Sequence, residues 1–138
     1  MTKVLCLICI LIFFSTPAGS GEDAFTGWRV YAGSNDSRKL VSWMNCSLRS
    51  FLANKECPQK PDFAAPSYYG KFGVFVTLVK KGKVRGCFGA FNHQSDQLDD
   101  VLKDYLHGAL KRDSRYEPLD AAEIDDVKIV ITIAGRRH

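Results

Sequence analysis

Apolar residues recur at three- and four-residue spacing through Leu40, Val41, Met44, Leu48, Phe51 and Leu52, which predicts a helix with one buried stripe. The helix starts near Asp36 or Ser37, and Pro58 and Pro61 close it off. Phe72 to Val79 is β-branched and aromatic, and Val84 to Phe91 is its match across the turn Lys80-Lys81-Gly82-Lys83; the two read as a hairpin. Helical spacing returns at Leu98, Val101, Leu102, Tyr105, Leu106, Ala109 and Leu110. Ser95 or Asp96 can cap this second helix, with Asp99 and Asp100 favourable in its first turn. After the acidic stretch Asp120 to Asp126, Val127 to Ile133 reads as a third strand. This order predicts an α+β fold, a small antiparallel-containing sheet with two main helices packed on it.

Three segments divide the chain. Residues 1–20 have the marks of a signal peptide: a positive start at Lys3, an unbroken apolar run from Val4 to Phe14, and the small-residue exit Pro17-Ala18-Gly19-Ser20. Cleavage near Ser20 and export, to a periplasm or outside the cell, are expected. The apolar run is short of the roughly 20 residues that a membrane-spanning helix needs, so no permanent membrane anchor is expected. Residues 21–35 lack periodicity and are rich in Gly and small polar residues, which predicts a flexible, exposed lead-in. Residues 36–138 are then the folded domain, with the prolines Pro58, Pro61 and Pro66 marking an irregular loop before the first strand.

Removal of the leader changes the cysteine and charge balance. Cys6 and Cys9 go with it, and Cys46, Cys57 and Cys87 remain. An odd number leaves at least one thiol unpaired within the monomer; in an oxidising compartment Cys46 and Cys57 are the candidates for a disulfide if the chain turns back after the first helix. Taking Lys3 from the 19 basic residues leaves 18 against 15 acidic ones, a formal +3 that demands no polyanion, and no nucleic-acid partner is expected. The cysteines and histidines have no paired metal-ligand spacing, and no glycine-rich loop cradles a nucleotide, so neither metal nor cofactor is expected.

The candidate chemistry centres on Arg85-Gly86-Cys87-Phe88-Gly89 in the second strand of the hairpin. Gly86 and Gly89 remove side chains beside the Cys87-Phe88 pair, so that another backbone or a ligand can come close. Arg85 stands two residues from Cys87, on the same face of a regular strand, where a cation favours thiolate over thiol. A small thiol in a strand also serves as core filling.

Gly73-Val74-Phe75-Val76-Thr77-Leu78 followed by Gly82-Lys83-Val84-Arg85-Gly86-Cys87-Phe88-Gly89 resembles the signature of the AMMECR domain family, whose core motif is Leu-Arg-Gly-Cys-Ile-Gly. Asp113-Ser114-Arg115-Tyr116-Glu117-Pro118-Leu119 resembles the family's Asp-Pro-Arg-Phe-x-Pro-Leu segment, at the expected distance behind the helix. Val84, Phe88, Ser114 and Tyr116 depart from those patterns, and only Ser114 in place of proline gives up a fixed φ. The resemblance implies an α+β domain with the motif near a cleft. It also implies further strands and a helix beyond the third strand, so that residues 36–138 lack the family's C-terminal part and the last strand is left for a protein partner or a second copy to cover. Some relatives resemble components of a three-gene system with a radical-SAM protein and a dioxygenase-like protein, an association that carries no mechanism.

Two functions follow from these residues. In one, a binding or assembly module uses Arg85, Gly86, Gly89, Asp113 and Arg115 to hold a small anion or a partner's backbone, with Cys87 structural. In the other, a thiol-dependent enzyme uses Cys87 as nucleophile or redox centre, Arg85 to activate it, Asp113 and Arg115 to place an anionic substrate, and His93 or His107 as base.

Overall fold

In the computed structural model, which describes residues 24–135 and the backbone of Leu7–Cys9, the hairpin is the centre of the molecule. Strands β2 (Phe72–Lys80) and β3 (Lys83–Ala90) run antiparallel across a turn in which Lys81 and Gly82 both have positive φ, 50° and 76°. Two such residues make the two-residue turn whose twist suits a hairpin, and Gly82 takes its angle without steric cost. Strand β4 (Val127–Gly135) pairs antiparallel with the other edge of β2, and β1 (Leu7–Cys9) runs parallel to the outer edge of β4. The sheet order is thus β1-β4-β2-β3. The leader expected over residues 1–20 otherwise falls outside the described residues.

Alternation along the strands sorts the sheet into two unlike faces. Phe72, Val74, Val76 and Leu78 of β2 and Val127, Ile129, Ile131 and Ile133 of β4 all point into one core. Helix α2 (Asn35–Ala53) covers it with Leu40, Met44 and Leu48, and α3 (Leu98–His107) with Leu98, Val101, Leu102, Tyr105 and Leu106. Phe75, Thr77 and Val79 lie on the opposite face of β2, and none of them belongs to the core. The helix stripes and the third strand match those expected from spacing.

Helix ends differ more. The Ser34 side chain accepts from the Ser37 N–H (3.1 Å) and so caps α2, which starts at Asn35, one position ahead of Asp36. Neither Ser95 nor Asp96 caps α3; Gln97 holds the cap position without a side-chain bond, because Ser95 Oγ instead accepts from the Gln97 N–H. Helix α3 runs on into a π-helical turn, Gly108–Arg112. In place of an irregular lead-in, Thr26–Ala32 forms a two-turn helix, α1, that buries Trp28 and Tyr31. Seven residues are too few for a helical period to stand out in the sequence, and it is the burial of two aromatic rings that holds this segment.

Cys46 and Cys57 form a disulfide, with Cα atoms 5.5 Å apart, that draws the irregular 54–71 loop back onto α2. Closing a separation of 11 residues restricts the unfolded chain. Reduction, or replacement of both cysteines by alanine, is therefore expected to cost about 3 kcal/mol, read as a lower urea midpoint with a somewhat steeper slope as the freed unfolded chain expands.

Candidate functional site

The motif Arg85 to Gly89 occupies β3 at the free edge of the sheet. A bulge interrupts the ladder there: Leu78 pairs with Gly86 and Val79 with Val84, which leaves Arg85 without a partner on β2. The guanidinium of Arg85 goes to Glu123, whose Oε1 accepts from Arg85 Nη1 and from Lys80 Nζ, both at 2.7 Å. Hydrogen bonds from Arg85 and Lys80 lower the Glu123 carboxyl to about 2. Arg85 is thus spent on an ion pair and does not engage the thiol, a correction to the strand-face argument, which assumes an unbroken pleat.

Cys87 faces away from the helices, opposite Thr77, whose hydroxyl donates to Sγ at 3.3 Å. The thiol is free and partly exposed. Its backbone N–H points out from the sheet edge and is accepted by Asp113 Oδ2 at 2.9 Å. Asp113 in turn receives a fork from Arg115, Nε to Oδ1 at 2.8 Å and Nη2 to Oδ2 at 2.9 Å, and the Arg115 N–H as well. The Asp113 side chain is only 4% exposed while that of Arg115 is 66% exposed. Hydrogen bonds from Arg115 and from the Cys87 N–H outweigh burial and hold the Asp113 carboxyl at about 2. The two sequence motifs are therefore one structural unit: a carboxylate from the second satisfies an edge-strand donor of the first.

The glycines serve this packing. A Cβ on Gly86 would stand 2.2 Å from the Ala109 carbonyl oxygen, so its absence lets the π-helical turn lie directly on β3. A Cβ on Gly89 would meet the Val74 carbonyl at 2.3 Å and the Phe75 ring at 2.5 Å. Phe88 covers Gly108 and carries the Arg112 guanidinium 4.4 Å from its ring centroid. The space that the two glycines open is thus filled by the protein itself.

Neither candidate base approaches the thiol. His93 is buried, with Nε2 2.8 Å from the Phe72 carbonyl oxygen and Nδ1 2.7 Å from the Tyr105 hydroxyl. A carbonyl only accepts, so Nε2 carries a proton, and in the neutral ring Nδ1 accepts from Tyr105. Tyr68 packs edge-on against the same imidazole and donates to the Ser95 carbonyl; burial pushes its phenol up to about 12. His107 is exposed and packs edge-on against Phe51. Spacing alone misses Thr77 and Glu123. The first requires the bulged register, whereas Asp120-x-x-Glu123 is a capping-box pattern in plain sight: Asp120 accepts from the Ala122 N–H, and Glu123 Oε2 from the Asp120 N–H.

A helix-backed antiparallel sheet whose edge is locked to a following Asp-x-Arg loop defines the class: a small α+β domain, with its two motifs joined through one carboxylate. Residues 41–137 match the AMMECR1 family model, and the chain belongs to that family. It is similar to Protein Mbar_A1807 of Methanosarcina barkeri, 30% identical over 101 residues, covering 71% of this chain and 50% of that protein. A protein of Methanothermobacter thermautotrophicus is 29% identical over 99 residues, covering 72% of this chain and 51% of its own length. The chain thus spans about half the length of these relatives. The crystal structure of the uncharacterized protein PH0010 from Pyrococcus horikoshii shares the fold, with a TM-score of 0.54 at 22% identity over 68% of this chain and 48% of that one.

Proposed function

We propose that this chain is an exported AMMECR1-family domain acting as a binding or assembly module, with Cys87 in a structural role. One observation carries the reading. The polar groups of the motif are consumed in holding the fold, Arg85 by Glu123 and Asp113 by the Cys87 N–H, while Arg115 presents a mostly exposed guanidinium at the same place. That guanidinium keeps donors beyond its two bonds to Asp113, and Lys111 stands close by in sequence, while Arg112 is held by Asp104; the setting suits a small anion. The outer edge of β4 pairs with β1, Leu7–Cys9, which lies within the leader; cleavage near Ser20 would take β1 away, and a protein partner or second copy is the occupant proposed for the edge then left. Export is supported by the apolar leader and by the Cys46–Cys57 disulfide, a bond far commoner in oxidising compartments than in the cytosol.

The thiol-enzyme reading retains one favourable contact, the Thr77 hydroxyl on Sγ. Inorganic phosphate titrated into the full chain is expected to shift the backbone N–H resonance of residue 115 saturably, in Cys87→Ala as in the unsubstituted protein, and to leave that resonance unmoved in Arg115→Gln. Iodoacetamide should modify native Cys87 no faster than the same cysteine in urea. A native thiol faster by about a hundredfold or more would overturn the binding reading in favour of a nucleophile.

A further inference from the structure

A concave surface lies between α2 and the 54–71 loop. Arg38, Lys39, Ser42 and Trp43 of the helix face Pro58 and Pro61 of the 54–71 loop across an open cavity of about 410 Å³, with the Cys46–Cys57 disulfide in its wall. Spacing on α2 arranges its polar and apolar parts. Arg38 lies one turn before Ser42 and Lys39 one turn before Trp43, so two cations sit above a hydroxyl and an indole on the same helix face.

Trp43 is half-buried, packed on one side by Phe63 at 6.5 Å between centroids and left open towards the cavity. Arg38 is exposed and has no carboxylate partner among the described residues; Lys39 has only a 3.6 Å contact with Asp36, whose other oxygen accepts from the Ala64 N–H. The loop wall is held at several points: by the disulfide, by the Lys60–Asp99 ion pair at 2.8 Å, by Ala64 on Asp36, and by the fixed φ of two prolines. A long loop without secondary structure that is tied down in this way is a preformed wall, and a preformed site spends little of its binding energy on ordering.

We infer that this cavity is a ligand site for an aromatic carboxylate, its flat apolar body against Trp43, Pro58 and Pro61 and its anionic group on Arg38 and Lys39. The cavity lies within the usual size range for small-molecule sites, apolar walls with few polar groups match their usual chemistry, and the two cations select the sign of charge. The site is separate from the Cys87–Asp113–Arg115 unit and does not rest on the function proposed for it.

The test uses the full chain and 1-naphthoate, with 1-naphthamide as the uncharged comparator. The two tryptophans make it self-controlled, because Trp28 is 2% exposed and does not line the cavity. Naphthoate is expected to shift the Trp43 indole N–H saturably while Trp28 stays still, and naphthamide to bind more weakly by about tenfold or more, the value of charged hydrogen bonds to a carboxylate. The Arg38→Gln, Lys39→Gln double variant should lose the same factor for naphthoate and nothing for naphthamide. Equal affinity for acid and amide, full affinity in the double variant, or a Trp43 resonance unmoved at millimolar naphthoate would each overturn the assignment.

Discussion

Gly86→Ala is expected to be among the most damaging single substitutions in this domain. The new Cβ would stand 2.2 Å from the Ala109 oxygen and 3.1 Å from its carbonyl carbon, and both are backbone atoms of the turn that continues α3. No rotamer change relieves a clash with backbone, so β3 must move away from the helix end; overpacking of this kind costs about 3 kcal/mol or more, roughly a 10 °C loss in Tm. Gly82→Ala is the matched comparison. Its Cβ meets nothing within 4 Å, and the expected cost is only the roughly 1 kcal/mol of placing a side chain at φ 76°. Urea and thermal melts of the two variants should therefore separate clearly. A Gly86→Ala protein as stable as the unsubstituted chain would show that β3 and the helix end are not in contact, and would return Gly86 to ligand approach.

This contrast marks where the sequence was readable and where it was not. Helices α2 and α3 and strands β2, β3 and β4 are legible because each buries a single stripe or face: Leu40, Met44 and Leu48 at helical spacing, Val74, Val76 and Leu78 at alternation. The disulfide was legible only as a candidate pair, Cys46 and Cys57, conditional on the chain turning back after the first helix, and the 54–71 loop meets that condition. Helix α1 was not, because seven residues hold too little periodicity and its stability comes from Trp28 and Tyr31 meeting the rest of the core. At the motif, alternation misassigned the partners. Alternation counts Arg85 and Cys87 onto one face, and a one-residue bulge between Val84 and Gly86 undoes the count. The glycines read equally well as room for a ligand or room for the protein's own backbone, and only the approach of Ala109 decides between them. Asp113 is the reverse case. The resemblance groups it with Cys87 as a ligand-holding residue, but nothing in a linear reading gives the hydrogen bond by which it accepts from the Cys87 N–H, 26 residues earlier.

Asp113→Ala is accordingly expected to cost about 2–3 kcal/mol, since it strands the Cys87 N–H at the sheet edge and deprives Arg115 of both its fork partners. Asp113→Asn separates the two losses: its amide oxygen can still accept from Cys87, while the ion pair is gone, so its cost should be the smaller. Acidity supplies the second arm. The folded carboxyl titrates near 2 against an ordinary value of 3.8, so the folded state holds fewer protons than the unfolded one between those limits. The stability this contributes is fully present above about pH 4 and is lost as pH falls through about 2. Glu123, lowered to about 2 by Arg85 and Lys80, titrates over the same range and steepens the acid limb of both proteins alike. The difference between the unsubstituted chain and Asp113→Asn therefore isolates Asp113: it should be constant from neutral pH down to about 4 and narrow steadily below that. Urea unfolding measured from pH 7 to pH 2 reads it directly. A difference that does not change with pH would mean that Asp113 titrates alike in the folded and unfolded chain, and the carboxylate would lose its place as the link between the two motifs.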